Sequence, residues 1–302
     1  MKGIRSLKSI ACIAFSAALS LLITACSGAG DQPDESSSAV ATTVGTTTAA
    51  STTTPTTAAP TTTTATTATT TAVPTTVKIP PVETPPISYV VPASDAVSDS
   101  YFDDAVFIGD SVSLKLKLYA LAQRQSSAGF LGKAQFLTSG SLGSGNALWA
   151  VSNQSVHPSY NGTKMLLEDA VAACGAKKAY IMLGMNDIGL YGVDKAIQNL
   201  DTLLGRIREK TPDVRFYLQS VTPMVTSRQL SDLNNESIGR YNAALSAYCE
   251  AKGYYFLNVA SVMRDDDGGL IPAYCSDSSG MGIHFTDAGC KTWVDYLRTH
   301  TA

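Results

Sequence analysis

The stretch AVFIGDSVSLKL, Ala105 to Leu116, decides how this chain folds. Apolar residues run from Ala105 to Ile108, Gly109-Asp110-Ser111 breaks the run, and a segment of helical period follows. The pattern reads as a strand, a tight turn and a helix. Glycine is the default residue for such a turn, and Asp and Ser are good helix caps. By itself the turn leaves two readings of Ser111 open. It is the polar start of a helix, or a hydroxyl placed to attack a substrate.

Working outward, the same alternation recurs. Further strands are expected at AQFLTS (134–139), KAYIMLG (178–184), RFYLQSV (215–221) and YYFLNVA (254–260). Several of these are continuously apolar rather than alternating, as in strands covered on both faces. Helical periodicity predicts helices over Ser113–Gln123, Lys164–Cys174, Asp194–Lys210, Glu236–Lys252 and Thr286–Thr299. In the fourth, Ile238, Tyr241, Leu245 and Tyr248 share one face. Strands alternating with helices predict an α/β fold, a three-layer α/β/α sandwich around a five-stranded parallel sheet. The flavodoxin-like order 2-1-3-4-5 places ligands beyond the carboxyl ends of strands 1 and 3. Gly109-Asp110-Ser111 and Gly184-Met185-Asn186-Asp187 both fall there, and Thr138–Asn146 (TSGSLGSGN) follows strand 2 at the same edge.

The chain before this unit is of a different kind. MKGIRSLK is basic, Ile10 to Ile23 is apolar, and small residues close the run, the order of a secretory signal over residues 1–25. Leu22-Ile23-Thr24-Ala25-Cys26 is similar to a bacterial lipobox, which implies cleavage before Cys26 and lipidation of its sulfur. Residues 26–94 are rich in Thr, Pro and Ala, too poor in apolar surface to fold, and read as a disordered tether. At about 3.1 Å per residue an extended tether of this length reaches on the order of 100 Å or more. The folded domain is expected over 95–302. The 302 residues carry a net charge of −3 without any dense basic run, which argues against nucleic acid as a partner.

Only three histidines are available as a base. His300 stands beside the chain end and is expected to fray. His157 lies in a turn-like stretch, and His284, in SGMGIHFTDAG, precedes a helix whose expected cap is Thr286. There is no GxSxG elbow, P-loop, HExxH or zinc-like His/Cys spacing, so no metal or cofactor is expected.

Taken together, FIGDSVS, SGSLG, GMND and GIH resemble, in order and setting, the four blocks of the SGNH or GDSL-like hydrolases, over Ala105 to about Leu297. The resemblance implies an acyl-serine mechanism. Ser111 is the implied nucleophile and His284 the base, with the N–H groups of Ser111 and Gly143 and the Asn186 amide as the oxyanion hole. Gly140 is an alternative to Gly143. Asp110 and Asp187 are expected to bond backbone amides and hold the turns. One place departs from the family: Met281 stands where an Asp usually precedes the His. Asp277, four residues further back, orients His284 if residues 278–281 loop out. Otherwise His284 leans on a carbonyl or water in a Ser-His dyad, the alternative toward which the spacing leans.

Cys174 and Cys249 read as buried thiols. Cys275 and Cys290 bracket His284, where a bridge would brace its loop, but four cysteines allow three pairings and spacing does not choose. The expected activity is extracytoplasmic removal of a short acyl group, acetyl first among them, from a carbohydrate or cell-wall glycan, by an enzyme lipid-anchored to the bacterial membrane. Acyl transfer onto the same glycan and a non-catalytic binding module are the alternatives. Trp149, Tyr160 and Tyr191 are candidates for a sugar platform.

Overall fold

A computed structural model describes residues 89–302. The signal segment, Cys26 and residues 26–88 of the expected tether lie outside the described residues. Tyr89 to Val91 already belong to the fold. The Val91 N–H donates to Phe256 O at 3.0 Å, the Phe256 N–H donates to Tyr89 O at 2.7 Å, and Val91 is buried. The folded unit therefore begins ahead of the expected boundary at residue 95, because Val91 has an apolar side chain to bury and an open strand beside it.

The sheet contains β1 (Ala105–Gly109), β2 (Gln135–Thr138), β3 (Lys178–Met182), β4 (Arg215–Gln219) and β5 (Tyr255–Leu257), ordered 2-1-3-4-5. Every pairing is parallel. The helices are α1 (Ser111–Ser126), α2 (Leu167–Cys174), α3 (Met185–Lys210), α4 (Asn235–Lys252) and α5 (Asp287–Thr299). Helices α2, α3 and α4 cover Val106, Ile108, Ile181 and Leu218 on one face; α1 and α5 cover Phe107, Tyr180 and Tyr217 on the other. Both faces are thus buried, which is why these strands read as unbroken apolar runs.

One residue from each strand builds an aromatic row on the α1/α5 face. Phe136, Phe107, Tyr180, Tyr217 and Tyr255 lie directly across from one another, with successive ring centroids 5.4, 5.0, 4.6 and 4.8 Å apart. A one-residue slip of any strand would send its ring to the opposite face, so the row fixes the register.

Helix α3 starts nine residues before the expected Asp194, at Met185, and contains a break at Gly192 (φ 73°, ψ 170°). The periodic pattern resumes only after that break, which hides the first turns from a sequence reading. Those turns carry Asn186. At the other end of the chain the Trp293 indole N–H of α5 donates to Gln219 Oε1 at 2.7 Å inside the core, locking α5 against β4. Because the five strands of this sheet are all parallel, the segments after β1, β2, β3 and β5 emerge at one edge.

Candidate active site

The first loop at that edge is tight for a steric reason. A Cβ on Gly109 would lie 2.7 Å from Met182 O of the neighbouring strand and closer still to the Ser113 side chain. Only glycine lets β1 end there. Asp110 then caps α1, its Oδ1 accepting the Val112 N–H at 2.9 Å. Ser111 is the first residue of the helix, half-buried, with the positive end of the α1 dipole at its back.

The imidazole arrives from the far end of the chain. Residues 274–276 and 284–286 pair antiparallel, with the Ser276 N–H donating to His284 O and the Thr286 N–H to Tyr274 O, both at 2.8 Å. Between them Asp277 to Ile283 form a closed tip, in which the Gly280 and Gly282 N–H groups donate to Asp277 O at 2.7 and 3.1 Å. Thr286 caps α5 as expected. This stem holds His284 Nε2 3.0 Å from Ser111 Oγ.

Asp277 completes the relay. Its Oδ2 lies 2.7 Å from His284 Nδ1, while Oδ1 accepts the N–H groups of Ile283 and His284, both at 3.0 Å, and the Cys275 thiol at 3.4 Å. A carboxylate at Nδ1 requires the proton on that nitrogen and leaves Nε2 as acceptor for the Ser111 hydroxyl. Burial by itself would raise the Asp277 carboxyl; the hydrogen bonds from the His284 ring and N–H, and the imidazole's charge, outweigh it and leave it below the ordinary carboxylate value. The dyad toward which the spacing leaned is therefore corrected to a Ser-His-Asp arrangement. The antiparallel stem brings residue 277 opposite residues 283 and 284, so seven residues of separation in sequence become a direct contact. Met281, in the place of the usual Asp, is 52% exposed at the loop tip.

The three expected oxyanion donors occupy different states. The Ser111 N–H belongs to the first helical turn, whose donors have no partner within the helix. The Gly143 N–H donates to Asn146 Oδ1 at 2.8 Å. Asn186 Nδ2 donates to Asp110 Oδ2 and to Leu142 O, each at 3.2 Å. Gly143 is required for close approach, since a Cβ there would meet both carboxylate oxygens of Asp187 at 2.9 Å. Asp187 in turn accepts the Ser144 N–H at 2.8 Å and the Gly145 N–H at 2.9 Å, clipping the β2 loop onto the start of α3. A Cβ on Gly140, the alternative donor, would touch nothing within 4 Å, so no steric demand singles it out.

The remaining candidates sit elsewhere. His157, in its turn-like stretch, is buried and bonds Ala147 O through Nε2 at 3.2 Å. His300 does not fray; its ring stacks on Tyr296 at 3.7 Å and bonds Tyr296 O. Cys174, Cys249, Cys275 and Cys290 are all free thiols, so no bridge braces the His284 loop. Hydrogen bonds of its stem do that instead. Of the aromatic candidates, Trp149 is exposed, Tyr160 packs against the core and Tyr191 lies over Gly145.

The sequence profile of the GDSL-like lipase/acylhydrolase family matches residues 107–291. Among solved structures the chain is similar to a protein described as a GDSL-like lipase from Parabacteroides merdae, at 17% identity and a TM-score of 0.47, covering 69% of this chain and 99% of that one. A GDSL-like lipase from Bacteroides thetaiotaomicron is similar at 16% identity and a TM-score of 0.46, covering 65% and 86%. The periplasmic domain of a lipopolysaccharide acetyltransferase from Salmonella Paratyphi A is similar at 15% identity and a TM-score of 0.45, covering 64% and 82%. No curated protein matches the sequence.

Proposed function

The chain belongs to the GDSL-like lipase/acylhydrolase family, and from that membership we propose an extracytoplasmic serine esterase that removes a short acyl group, acetyl first among them, from a carbohydrate or cell-wall glycan. The observation that carries the reading is the relay from Ser111 Oγ to His284 Nε2 to Asp277, at 3.0 and 2.7 Å. Ser111 Oγ attacks the acyl carbon while its proton passes to His284 Nε2. Asp277 steadies the imidazolium that forms. Negative charge gathers on the former carbonyl oxygen, facing the N–H groups of Ser111 and Gly143 and the Asn186 amide. In this step the Gly143 N–H leaves Asn146, and Asn186 turns an N–H from Leu142 toward the oxyanion; hole bonds of this kind tighten only in the complex. Each donor contributes about 10²–10³ in rate. His284 then protonates the departing alcohol, leaving an acyl-serine. A water gives its proton to His284 and attacks the acyl carbon; the bond from that carbon to Ser111 Oγ then breaks, His284 returns the proton to Oγ, and the free acid is released.

Location and substrate rest on the lipobox-like Cys26 and the Thr/Pro-rich tether, which together suit an enzyme lifted from the membrane toward the wall. The His284 side chain is 30% exposed, so a polymer-borne ester reaches it without entering a deep channel. The test compares the full-length protein with Ser111→Ala on p-nitrophenyl acetate and on O-acetylated wall glycan, scoring free acetate. Loss of release in the variant on both substrates supports the reading. Equal rates in both proteins would end it, and acetyl appearing on an acceptor glycan in place of free acetate would make the enzyme a transferase.

A further inference from the structure

Asp110 stands between the loop that carries Ser111 and the one that carries Asn186. It is 2% exposed. Through Oδ1 it caps α1, a task that Ser, Thr or Asn would perform equally well. Through Oδ2 it accepts from Asn186 Nδ2 at 3.2 Å. Two acceptor oxygens on one short side chain are what a carboxylate supplies and those other caps do not. The arrangement opposes ionisation. Burial pushes the Asp110 carboxyl from 3.8 to about 6, with Asp187 on α3 adding to the rise, while the Val112 and Ser113 N–H groups and His284 pull it back. A neutral cap would avoid that penalty altogether.

The orientation of the Asn186 amide is what Oδ2 decides. An amide turned over by 180° presents a carbonyl oxygen where an N–H is needed, and an oxyanion would be repelled by it. Ionised Asp110 accepts and never donates, as does Leu142 O, 3.2 Å from the same nitrogen. Both neighbours therefore select the NH₂ end.

We propose that Asp110 is a positioning residue for ester cleavage, holding the Asn186 amide through Oδ2 with its N–H groups, not its oxygen, on the side of the reacting carbonyl. The proposal rests on Asn186 acting as an oxyanion donor in the function proposed above.

The experiment measures kcat and KM for p-nitrophenyl acetate in full-length Asp110→Asn, Asn186→Ala, the double variant and Ser111→Ala, with a thermal melt of each. Asn at 110 keeps the cap but points an NH₂ group at the NH₂ of Asn186. The expected result is a kcat lowered by about 10- to 100-fold, part of one oxyanion donor's worth, with KM within about twofold. Melting at pH 7.5 is not lowered. The double variant is no slower than Asn186→Ala, because a residue acting through another adds nothing once that other is gone. Asp110→Ser, a cap without the second oxygen, gives the same kcat loss and replaces Asp110→Asn if that variant misfolds. An unchanged kcat in Asp110→Asn, or losses that multiply in the double variant, would overturn the proposal. Full activity in Asn186→Ala beside a dead Ser111→Ala would overturn it too while leaving the serine esterase intact. Full activity in Ser111→Ala would instead remove the premise.

Discussion

Replacing Asp277 by Asn tests the relay most sharply, because the amide can satisfy only one of its two sets of partners. Oδ1 of Asp277 accepts the Ile283 and His284 N–H groups at 3.0 Å, and Oδ2 meets His284 Nδ1 at 2.7 Å. With its NH₂ turned to the backbone, the Asn would leave two donors unpaired, at about 1–3 kcal/mol each. A neutral bond to the imidazole returns only about 0.5–1.5 kcal/mol. The oxygen therefore stays on the backbone and the NH₂ faces Nδ1. Nδ1 must then accept, the ring proton moves to Nε2, and Nε2 donates to Ser111 Oγ when it should accept. The fold survives and the base is lost. The same substitution in a serine protease lowers turnover by about 10⁴, which is about 5.5 kcal/mol of barrier. Steady-state turnover of p-nitrophenyl acetate, with near-ultraviolet circular dichroism to confirm native packing, measures it. A loss below about tenfold in a natively folded variant would refute the tautomer argument.

Other consequences follow from the same contacts. Gly143→Ala drives a Cβ to 2.9 Å from the Asp187 carboxylate oxygens; it should destabilise by about 1–3 kcal/mol in urea melts and lower kcat more than KM. Trp293→Phe leaves the buried Gln219 Oε1 without its 2.7 Å partner, and about 1–3 kcal/mol of stability should go with it, while Ser111-dependent turnover at 25 °C persists. Asp110 sets a pH dependence of stability. Its folded-state value of about 6 lies above the ordinary 3.8, so the folded protein binds a proton that the unfolded chain has released. Stability from this group is full below about pH 4 and is lost as pH rises to about 6, roughly 3 kcal/mol in all. Asp110→Asn should therefore gain on the wild type in denaturant melts as pH goes from 4 to 7; parallel curves would show that Asp110 ionises in the fold as freely as in water.

Much of the fold was legible because burial on two faces leaves a plain mark. A strand such as Ala105–Gly109, buried at every position, carries no polar side chain, and the helices between strands must each carry one apolar face. The blind spots have equally plain causes. Gly192 interrupts α3, so periodicity points to the later segment and misses the turns bearing Asn186. Tyr89 and Val91 join the sheet edge through one backbone bond each to Phe256, which no side-chain pattern announces.

The site divides in the same way. Ser111, Gly143, Asn186 and His284 stand in local contexts, a strand end, a glycine turn or a helix start, and local context is written in neighbouring residues. Asp277 is not of that kind. Its contact with His284 exists because an antiparallel stem folds seven residues back on themselves, and the hydrogen bonds that close the stem run between main-chain atoms that every residue possesses. The state of the Gly143 and Asn186 donors is likewise set by acceptors from other loops, Asn146, Leu142 and Asp110. Sequence determined which chemical groups are present and the strand ends that carry them. Only the tertiary structure decided which of those groups face one another, since a hydrogen bond depends on distance in space and a sequence records distance along the chain.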